Sequence, residues 1–230
     1  MKNISIIGKV NGNIFTQQFE SGAVGGRIPV IVSESWETEG GERRERETRF
    51  TVEVWNNTAL FCANRFKDGD AIFIDGDLKV REYIRQSDNA LQARLVIAAH
   101  RVLPLGDTAE TYIRFRGIGN LGADPEMRYT NEAGIPVTNA RIAFNRRFTD
   151  SAGERQEDTL WSDMTAWNGL AENLDQYTRQ GSKLYVEGER VELDFYKTNA
   201  GEDRVKFVLT ASFIQFLDRA PSDGVSGCFS

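Results

Sequence analysis

The chain has 230 residues, 40% of them hydrophobic and 27% charged, a composition typical of a globular protein with room for two ordinary domains. Its longest apolar run, residues 95–99, is far shorter than the ~20 residues of a membrane helix, and two cysteines exclude a disulfide framework. One histidine excludes two-histidine zinc sites, and a net charge of −6 excludes a generally basic nucleic-acid-binding surface.

Catalytic and targeting signals are equally weak. None of the 34 Asp and Glu residues sits in a spacing that singles out a catalytic pair, so we expect a protein that is not an enzyme and holds no metal or cofactor. Residues 1–8 carry one positive charge and scattered aliphatic side chains, which is too little for a signal peptide. We therefore expect a cytoplasmic protein that does not associate with membranes.

An internal repeat at a fixed offset of 112 residues is the most informative feature of the sequence. Trp55-Asn56 matches Trp167-Asn168, and the segment from Phe73 to Gly76 matches the segment from Tyr185 to Gly188. Further matches at this offset pair Trp36 with Phe148, Gly69 with Gly181, Tyr83 with Phe195 and Val96 with Val208. A period of this length indicates tandem domains rather than a solenoid. We expect unit 1 at 1–106, a linker at 107–110, unit 2 at 111–218 and a flexible tail at 219–230.

Within unit 1, alternating and turn-forming residues predict a mostly β structure. The charged run 37–49 alternates in sign and predicts a solvated loop, whose arginines can still touch a phosphate backbone. The stretch Thr51–Trp55 alternates as a strand. A helix is expected from Asn56 or Asn57 towards Gly69, with the asparagine as its N-cap and the glycine just past its end.

Unit 2 repeats this plan. Gly117–Gly122 fits the G-x-G-x-x-G pattern, but Ala123–Glu126 breaks the helix that a dinucleotide site requires, which argues against that function. Asn168 is expected to cap a helix that ends before Gly181. Each unit thus has about three strands, one short helix and two further strands, the order of the five-stranded Greek-key OB barrel. The predicted fold is all-β with one short helix per unit, in two tandem OB-fold barrels.

Strand alternation predicts which side chains face outward, because residues two apart share a face. On the strand before the helix these are Arg49, Thr51, Glu53 and Trp55 in unit 1, and Trp161, Asp163, Thr165 and Trp167 in unit 2. On the strand after the helix they are Asp77, Lys79, Arg81 and Tyr83, with the unit 2 counterparts Glu189, Val191, Leu193 and Phe195. Exposed aromatics among polar and cationic residues suit a single-stranded nucleic acid, since bases stack on the rings and cations follow the phosphates.

Three stretches of unit 2 carry a specific family resemblance: Ile118–Tyr129, Asp158–Glu172 and Gln180–Gly188. In unit 1, Ser33–Trp36 matches a family segment that carries a stacking tryptophan. On these residues the chain resembles the bacterial single-stranded DNA-binding protein (SSB) family, in a tandem form with two OB folds. The resemblance implies binding of single-stranded DNA without sequence specificity, which protects that DNA during replication, recombination and repair.

The resemblance also implies which residues contact DNA. The stacking aromatics of the family correspond to Trp36, Trp55 and Tyr83 in unit 1, and to Phe148, Trp161, Trp167 and Phe195 in unit 2. Arg49 stands where a further aromatic is expected, and the family's cations correspond to Lys79, Arg81 and Arg128. Because Val191 and Leu193 replace the hairpin cations in unit 2, unit 1 is expected to supply more charge and unit 2 more stacking.

Assembly follows from the same resemblance. Family members with one OB unit form tetramers and those with two form dimers, so a homodimer with four OB units is implied. Its contact candidates are Ile4, Ile6, Ile113 and Phe115, which fit the barrel core equally well. The family's acidic tail with an apolar end recruits replication and repair enzymes, but residues 226–230 do not match it, so recruitment through the tail is not expected.

Two other functions stay open from the sequence. An OB module for structured RNA would prefer folded RNA over oligo-dT and would need a stronger basic patch. A structural or partner-binding OB protein would have lost nucleic-acid binding, and the aromatics at matched outer positions argue against that function.

Overall fold

The computed structural model describes residues 1–38, 40–106, 110–131, 133–149 and 153–218, which form two consecutive sets of strands and helices in the same order. The first set is β1 (Lys2–Val10), β2 (Phe15–Gln18), β3 (Val24–Glu37), β4 (Arg43–Trp55), α1 (Asn56–Arg65), β5 (Ala71–Arg85) and β6 (Ala90–Gly106). The second set is β7 (Tyr112–Leu121), β8 (Glu126–Tyr129), β9 (Pro136–Thr149), β10 (Arg155–Trp167), α2 (Gly169–Tyr177), β11 (Lys183–Lys197) and β12 (Asp203–Phe216). Most of the expected linker, at 107–109, and the expected tail, at 219–230, lie outside the described residues.

Each set closes into a five-stranded barrel. In the first, β1 pairs with β3 and β5, β3 pairs with β4, β4 runs parallel to β6, and β6 pairs with β5. The second barrel has the same pairings among β7, β9, β10, β12 and β11. This closure confirms two tandem OB folds with one short helix each. The sequence missed the short edge strands β2 and β8, which pair with β3 and β9.

The barrel interiors are filled by alternate residues of the long strands. Ile4 and Ile6 of β1, and Ile113 and Phe115 of β7, are almost fully buried, so they are core residues and not dimer contacts. The ring of Phe115 meets Phe144 at 5.0 Å between centroids. The G-x-G-x-x-G stretch lies mainly within strand β7, and its glycines make room for packing. A Cβ on Gly117 would stand 2.5 Å from two ring atoms of Phe144.

The two barrels are joined edge to edge. β1 pairs antiparallel with β7, from Lys2 opposite Gly117 to Ile7 opposite Tyr112, which makes one continuous sheet through both units. At one end of this seam the Lys2 ammonium, which is 1% exposed, lies 2.7 Å from a carboxylate oxygen of Asp158 on β10. The seam therefore fixes the relative position of the units through main-chain hydrogen bonds and an ion pair whose ammonium is buried.

The two helices begin partly as predicted. Asn168 is the N-cap residue of α2, as predicted, but its side chain makes no capping hydrogen bond. In unit 1 the prediction is wrong, because the N-cap residue of α1 is Trp55 and not Asn56 or Asn57. Asn56 and Asn168 both adopt positive φ angles, 52° and 54°, which the sharp turn from strand into helix requires and which asparagine tolerates well. The Gly181 N–H donates to the Leu121 carbonyl at 2.8 Å, in a turn three residues beyond Thr178 at the end of α2. Neither helix of the described residues is long and apolar enough to span a membrane.

The charged run 37–49 is not the solvated loop that the sequence predicts. Its larger part belongs to the ribbon of β3 and β4, which stay paired out to Glu37 opposite Arg43. The alternating charges satisfy one another in this ribbon. The Arg46 Nε lies 3.1 Å from Glu34 across the ribbon, and Arg49 lies 3.2 Å from Glu47 on its own strand. Charge alternation here supports β pairing rather than a loop.

The Gly117 contact gives a test of the core. Replacing Gly117 with alanine should lower the free energy of unfolding by about 1–3 kcal/mol, because the added methyl overlaps the Phe144 ring. Gly169→Ala is the matched control, since a Cβ there meets nothing within 4 Å, and it should be neutral or slightly stabilising. Urea unfolding followed by circular dichroism measures both; equal stability of the two variants would contradict this packing.

Candidate nucleic-acid interface

The outer face of β10 carries two exposed indoles. Trp161 and Trp167 alternate with the buried side chains of Ser162, Met164 and Ala166, so the barrel interior and the indole face are two sides of one strand. The Arg141 guanidinium lies over the Trp161 ring at 4.9 Å. Because 46% of the Trp161 side chain stays exposed beside this cation, the indole is available for stacking on a base.

In unit 1 the position that matches Trp167 is held by Trp55 at the end of β4. Phe19 packs against Trp55 with ring centroids 5.8 Å apart. Together with Phe15, Glu53 and Arg81 these rings line a small cleft of about 180 Å³. The sequence did not single out the exposed Phe15 and Phe19, because they lie on and just after the unpredicted edge strand β2.

The ribbon beyond each barrel carries one further aromatic. Trp36 and Phe148 are both exposed, and a cation approaches each ring: Arg46 at 5.9 Å and Arg146 at 5.3 Å. Because side chains alternate between the two sides of a strand, Trp36 lies on the same side of β3 as buried residues such as Val32. Its cross-strand partner on β4 is Arg44. These two rings therefore lie on the other side of the ribbon from the indoles of β4 and β10.

The hairpin of β5 and β6 brings the predicted cations to the outer face of unit 1. The described residues place no carboxylate within ion-pairing distance of Lys79. Arg81, in contrast, lies 2.8 Å from the almost buried Glu53 of β4. Tyr83 is exposed, with the Arg94 guanidinium 4.3 Å from its ring centroid.

A bulge makes the unit 2 hairpin differ from the prediction. The pairing of β11 with β12 shifts register at Glu189, an extra residue that β5 lacks. Val191 is therefore turned into the core, at 1% exposure, and is not the counterpart of Lys79. The cross-strand partner of Lys79 on β6 is Val96, which matches Val208 of unit 2 in the repeat. The cross-strand partner of Val208 on β11 is Glu192, so Glu192 is the counterpart of Lys79.

The same shift replaces the remaining hairpin counterparts. Arg81 corresponds to Asp194 and Tyr83 to Tyr196, as their partners on β6 and β12 show. Phe195 lies on the side of β11 that Leu193 occupies, so it is not the register counterpart of Tyr83, although about half of its side chain is exposed. The sequence missed Tyr196 because a fixed offset cannot count through a bulge.

Arg128 lies on the short strand β8, where it is exposed. Its register partner on β9 is Val137, which is also the partner of Trp167 on β10. The three residues form one row across three strands, so Arg128 and Trp167 flank the same edge of the unit 2 face.

Acidic side chains dominate the face of unit 2 between β8 and β11. An open groove of about 540 Å³ is lined there by Asp124, Glu126, Asp163, Glu192 and Asp194, against the two cations Arg141 and Lys206. The Lys206 ammonium lies 3.0 Å from Asp163 and 3.4 Å from Asp194. The hydrogen bond from Lys206 to Asp163 raises the pKa of the ammonium, which stays charged at neutral pH.

A five-stranded OB barrel with exposed aromatics beside cations defines a class of protein that holds single-stranded nucleic acid on its outer strands. The sequence model of the Single-strand binding protein family matches this chain twice, at residues 1–105 and 114–217. The chain belongs to the single-strand binding protein family.

Individual relatives agree with this membership. "Single-stranded DNA-binding protein 2" of Chlorobaculum tepidum is 41% identical over 106 residues, which are 46% of this chain and 71% of that protein. The single-stranded DNA-binding protein of Deinococcus radiodurans is 29% identical over 204 residues, 82% of this chain and 66% of that protein. The crystal structure of the wild-type single-stranded DNA-binding protein from Thermus aquaticus has the same fold, with a TM-score of 0.66, 20% identity and coverage of 96% and 95% of the two chains.

The indoles give a direct test of the interface. All four tryptophans are between 42% and 52% exposed. Acrylamide is expected to quench the emission of the folded protein nearly as efficiently as that of the urea-unfolded chain, with a linear dependence on acrylamide concentration. A fraction of emission that acrylamide does not reach would contradict the exposure of these side chains.

Proposed function

We propose that this chain binds single-stranded DNA without sequence specificity, as a binding protein and not as an enzyme, and thereby protects it during replication, recombination and repair. The observation that carries the proposal is the exposure of aromatic rings at outer positions of both barrels, most with a cation near the ring. Stacking accepts every base because each base has a π-face, so such a surface needs no base-edge contacts.

The proposed contacts divide between the two units. In unit 1 they are Trp36, Arg49, Trp55, Lys79, Arg81 and Tyr83; in unit 2 they are Arg128, Phe148, Trp161 and Trp167. Two of the cations are already paired, Arg49 with Glu47 and Arg81 with Glu53, so a phosphate must compete with these carboxylates. Lys79 has no such competitor among the described residues and is the most available cation of the unit 1 hairpin.

Titration of the intrinsic fluorescence with oligo-dT tests the proposal, because a base stacked on an indole quenches its emission. Strong, saturable quenching by oligo-dT and little by the matching duplex is the expected result. Absence of quenching by oligo-dT, or equal quenching by duplex, would refute single-strand binding. A clear preference for folded RNA would support the RNA-binding alternative instead.

Two substitutions separate stacking from charge. Trp167→Ala should weaken oligo-dT binding by about 1–3 kcal/mol, whereas Trp167→Phe keeps a ring and should retain most of the affinity. Lys79→Gln should reduce the dependence of log K on log salt by about 0.7, the contribution of one phosphate of a single strand. Lys67→Gln makes the same charge change on an exposed turn outside the proposed site, and its salt slope should match that of the wild type. Unchanged binding by Trp167→Ala and Lys79→Gln, with intact circular dichroism, would remove both residues from the site.

We also propose that the chain assembles as a homodimer with four OB units. The outer face of the β1–β7 seam supports this, because it has an apolar cluster at either end and a polar centre. One cluster is the row of Leu103, Phe73, Ile7 and Tyr112; the other is formed by Ile118, Tyr185 and Phe213. Between them, the Nε atoms of Arg114 and Arg116 are buried without a hydrogen-bond partner in the described part of the chain. Closed two-fold pairing of this face would cover both clusters.

Light scattering tests the dimer. The wild-type mass is expected to be twice 25.9 kDa and independent of dilution in the micromolar range. Leu103→Asp should lower the mass towards one chain, because it places a charge within the apolar cluster. Leu60→Asp alters a leucine of nearly equal exposure on α1, 47% against 44%, and should leave the dimer intact. A wild-type monomer, or dissociation by both variants, would refute this interface.

A further inference from the structure

We propose that Asn168, which joins Trp167 to helix α2, is a site of spontaneous deamidation, and that the carboxylate formed there weakens the binding of single-stranded DNA by unit 2. The reacting groups are the side-chain amide of Asn168 and the backbone nitrogen of Gly169, and water is the only co-reactant. The effect on binding rests on the proposed function, whereas the modification itself does not.

The Asn-Gly dipeptide occurs twice in the chain, at Asn11-Gly12 and at Asn168-Gly169. Glycine has no Cβ, so its backbone nitrogen is the least hindered of any residue for attack on the preceding side chain. The two dipeptides are equivalent in sequence. Their structural surroundings differ.

The backbone at Asn168 already has the conformation that the reaction needs. Attack closes a five-membered ring from the Gly169 nitrogen and the C, Cα, Cβ and Cγ atoms of Asn168, which requires that nitrogen to come close to eclipsing Cβ. In an L-residue Cβ lies a third of a turn from the backbone nitrogen about the Cα–C bond, so the ψ of −135° at Asn168 meets this requirement. A strand or helix residue, with ψ of about +135° or −42°, holds the two atoms well apart.

Both reacting groups are free and exposed. The Asn168 side chain makes no capping hydrogen bond, and the residue is exposed. Gly169 is the first residue of α2, where a backbone N–H has no partner within the helix, and the described part of the chain supplies no other acceptor for it. A Cβ on Gly169 would meet nothing within 4 Å, so water reaches the site.

The other Asn-Gly dipeptide is protected by a hydrogen bond. The Gly12 N–H donates to Oδ1 of Asp68 at 2.6 Å. This bond holds the nitrogen away from attack, and the negative charge of the carboxylate opposes loss of the N–H proton. We therefore expect Asn11 to react far more slowly than Asn168 in the folded protein.

The equivalent position of unit 1 is protected in a different way. Asn56 matches Asn168 in the repeat and also has a positive φ, of 52°. Its side-chain oxygen accepts a hydrogen bond from the Val24 N–H at 3.2 Å, which restrains the amide. The next residue is Asn57, whose Cβ hinders its own nitrogen. The reactive arrangement therefore belongs to unit 2.

The reaction exchanges ammonia for water without oxidation or reduction. The Gly169 nitrogen gives its proton to solvent and bonds to the Asn168 Cγ, while the bond from Cγ to Nδ2 breaks and ammonia leaves with a proton from solvent. Water then opens the cyclic imide at one of its two carbonyl carbons. Opening at Cγ gives aspartate; opening at the main-chain carbonyl gives isoaspartate, in which the main chain continues through Cβ and Cγ. Either product has a carboxylate in place of a neutral amide.

The new charge would lie at the proposed interface. Asn168 directly follows Trp167, which shares a row across three strands with Arg128. A carboxylate beside this row repels phosphate and offsets the nearby cation, so binding weakens most at low salt. Aspartate suits the N-cap position of α2, whereas isoaspartate lengthens the main chain within the turn that follows Trp167.

Peptide mapping of the folded, full-length protein tests the modification. The protein is held at mildly alkaline pH, sampled over time and digested with trypsin, and mass spectrometry follows the peptides 10–27 and 156–179, which contain the two Asn-Gly dipeptides. Conversion at Asn168 should run far ahead of Asn11, and the two should react alike when the chain is unfolded in urea. Gly169→Ala should lose the conversion. Equal rates at Asn11 and Asn168 in the folded protein, or undiminished conversion in Gly169→Ala, would overturn the inference.

Oligo-dT titration of charge variants tests the effect on binding. Asn168→Asp reproduces one product and should weaken binding about two- to fivefold at low salt and less at high salt. Asn168→Gly accepts the positive φ without a charge, and Asn173→Asp adds the same charge at an exposed position further along α2; both should bind like the wild type. Circular dichroism and thermal midpoints confirm folding.

The two parts of the inference fail separately from the proposed function. Wild-type affinity of Asn168→Asp, or an equal loss in Asn173→Asp, would overturn the effect on binding while single-strand binding stands. Failure of the fresh wild type to bind oligo-dT would refute the proposed function, and the peptide map would still decide whether Asn168 is the site of deamidation.

Discussion

The antiparallel pairing of β1 with β7 is the constraint on which the rest of the molecule depends. Each of these strands faces its own barrel core, with Ile4 opposite Phe115 and Ile6 opposite Ile113 across the seam. A slip of one residue between the two strands would turn the apolar set of one of them out of its core, so burial fixes the register. The Lys2–Asp158 ion pair adds to this, because removing one partner would leave a charge without compensation at a buried position.

Two barrels of the same fold have come to carry opposite charges at equivalent hairpin positions. Lys79 and Arg81 of unit 1 correspond in register to Glu192 and Asp194 of unit 2. The seam compensates for this difference, since it places the cations of unit 1 opposite the aromatics of unit 2. The chain therefore combines a net negative charge with a locally cationic groove where the two units meet.

The candidate interface is defined by which aromatic side chains are exposed, and not by how many aromatic residues the chain contains. Trp55, Trp161 and Trp167 stand on strands whose alternate residues fill the cores, so the barrels hold the rings in place without covering them. Arginines lie near several of these rings, which stay about half exposed: Arg46 is 5.9 Å from the Trp36 ring, and Arg141 is 4.9 Å from the Trp161 ring. Rings that the fold already holds in place would lose little conformational freedom on stacking, which favours them as the proposed contacts.

The sequence by itself determined the repeat, the OB order of strands and helix, and the outward placement of the β4 and β10 indoles, because these depend on local periodicity and residue type. It failed where the outcome depends on contacts between distant segments. Most of the run 37–49 became a ribbon because its backbone pairs with β3, and Ile4 and Phe115 became core because the barrels closed around them. The bulge at Glu189 decided that Tyr196 and not Phe195 is the counterpart of Tyr83, since one unpaired residue reverses every later side chain on a strand. Only the tertiary structure decided how the two barrels face each other, because pairing between β1 and β7 joins strand edges that are more than a hundred residues apart along the chain.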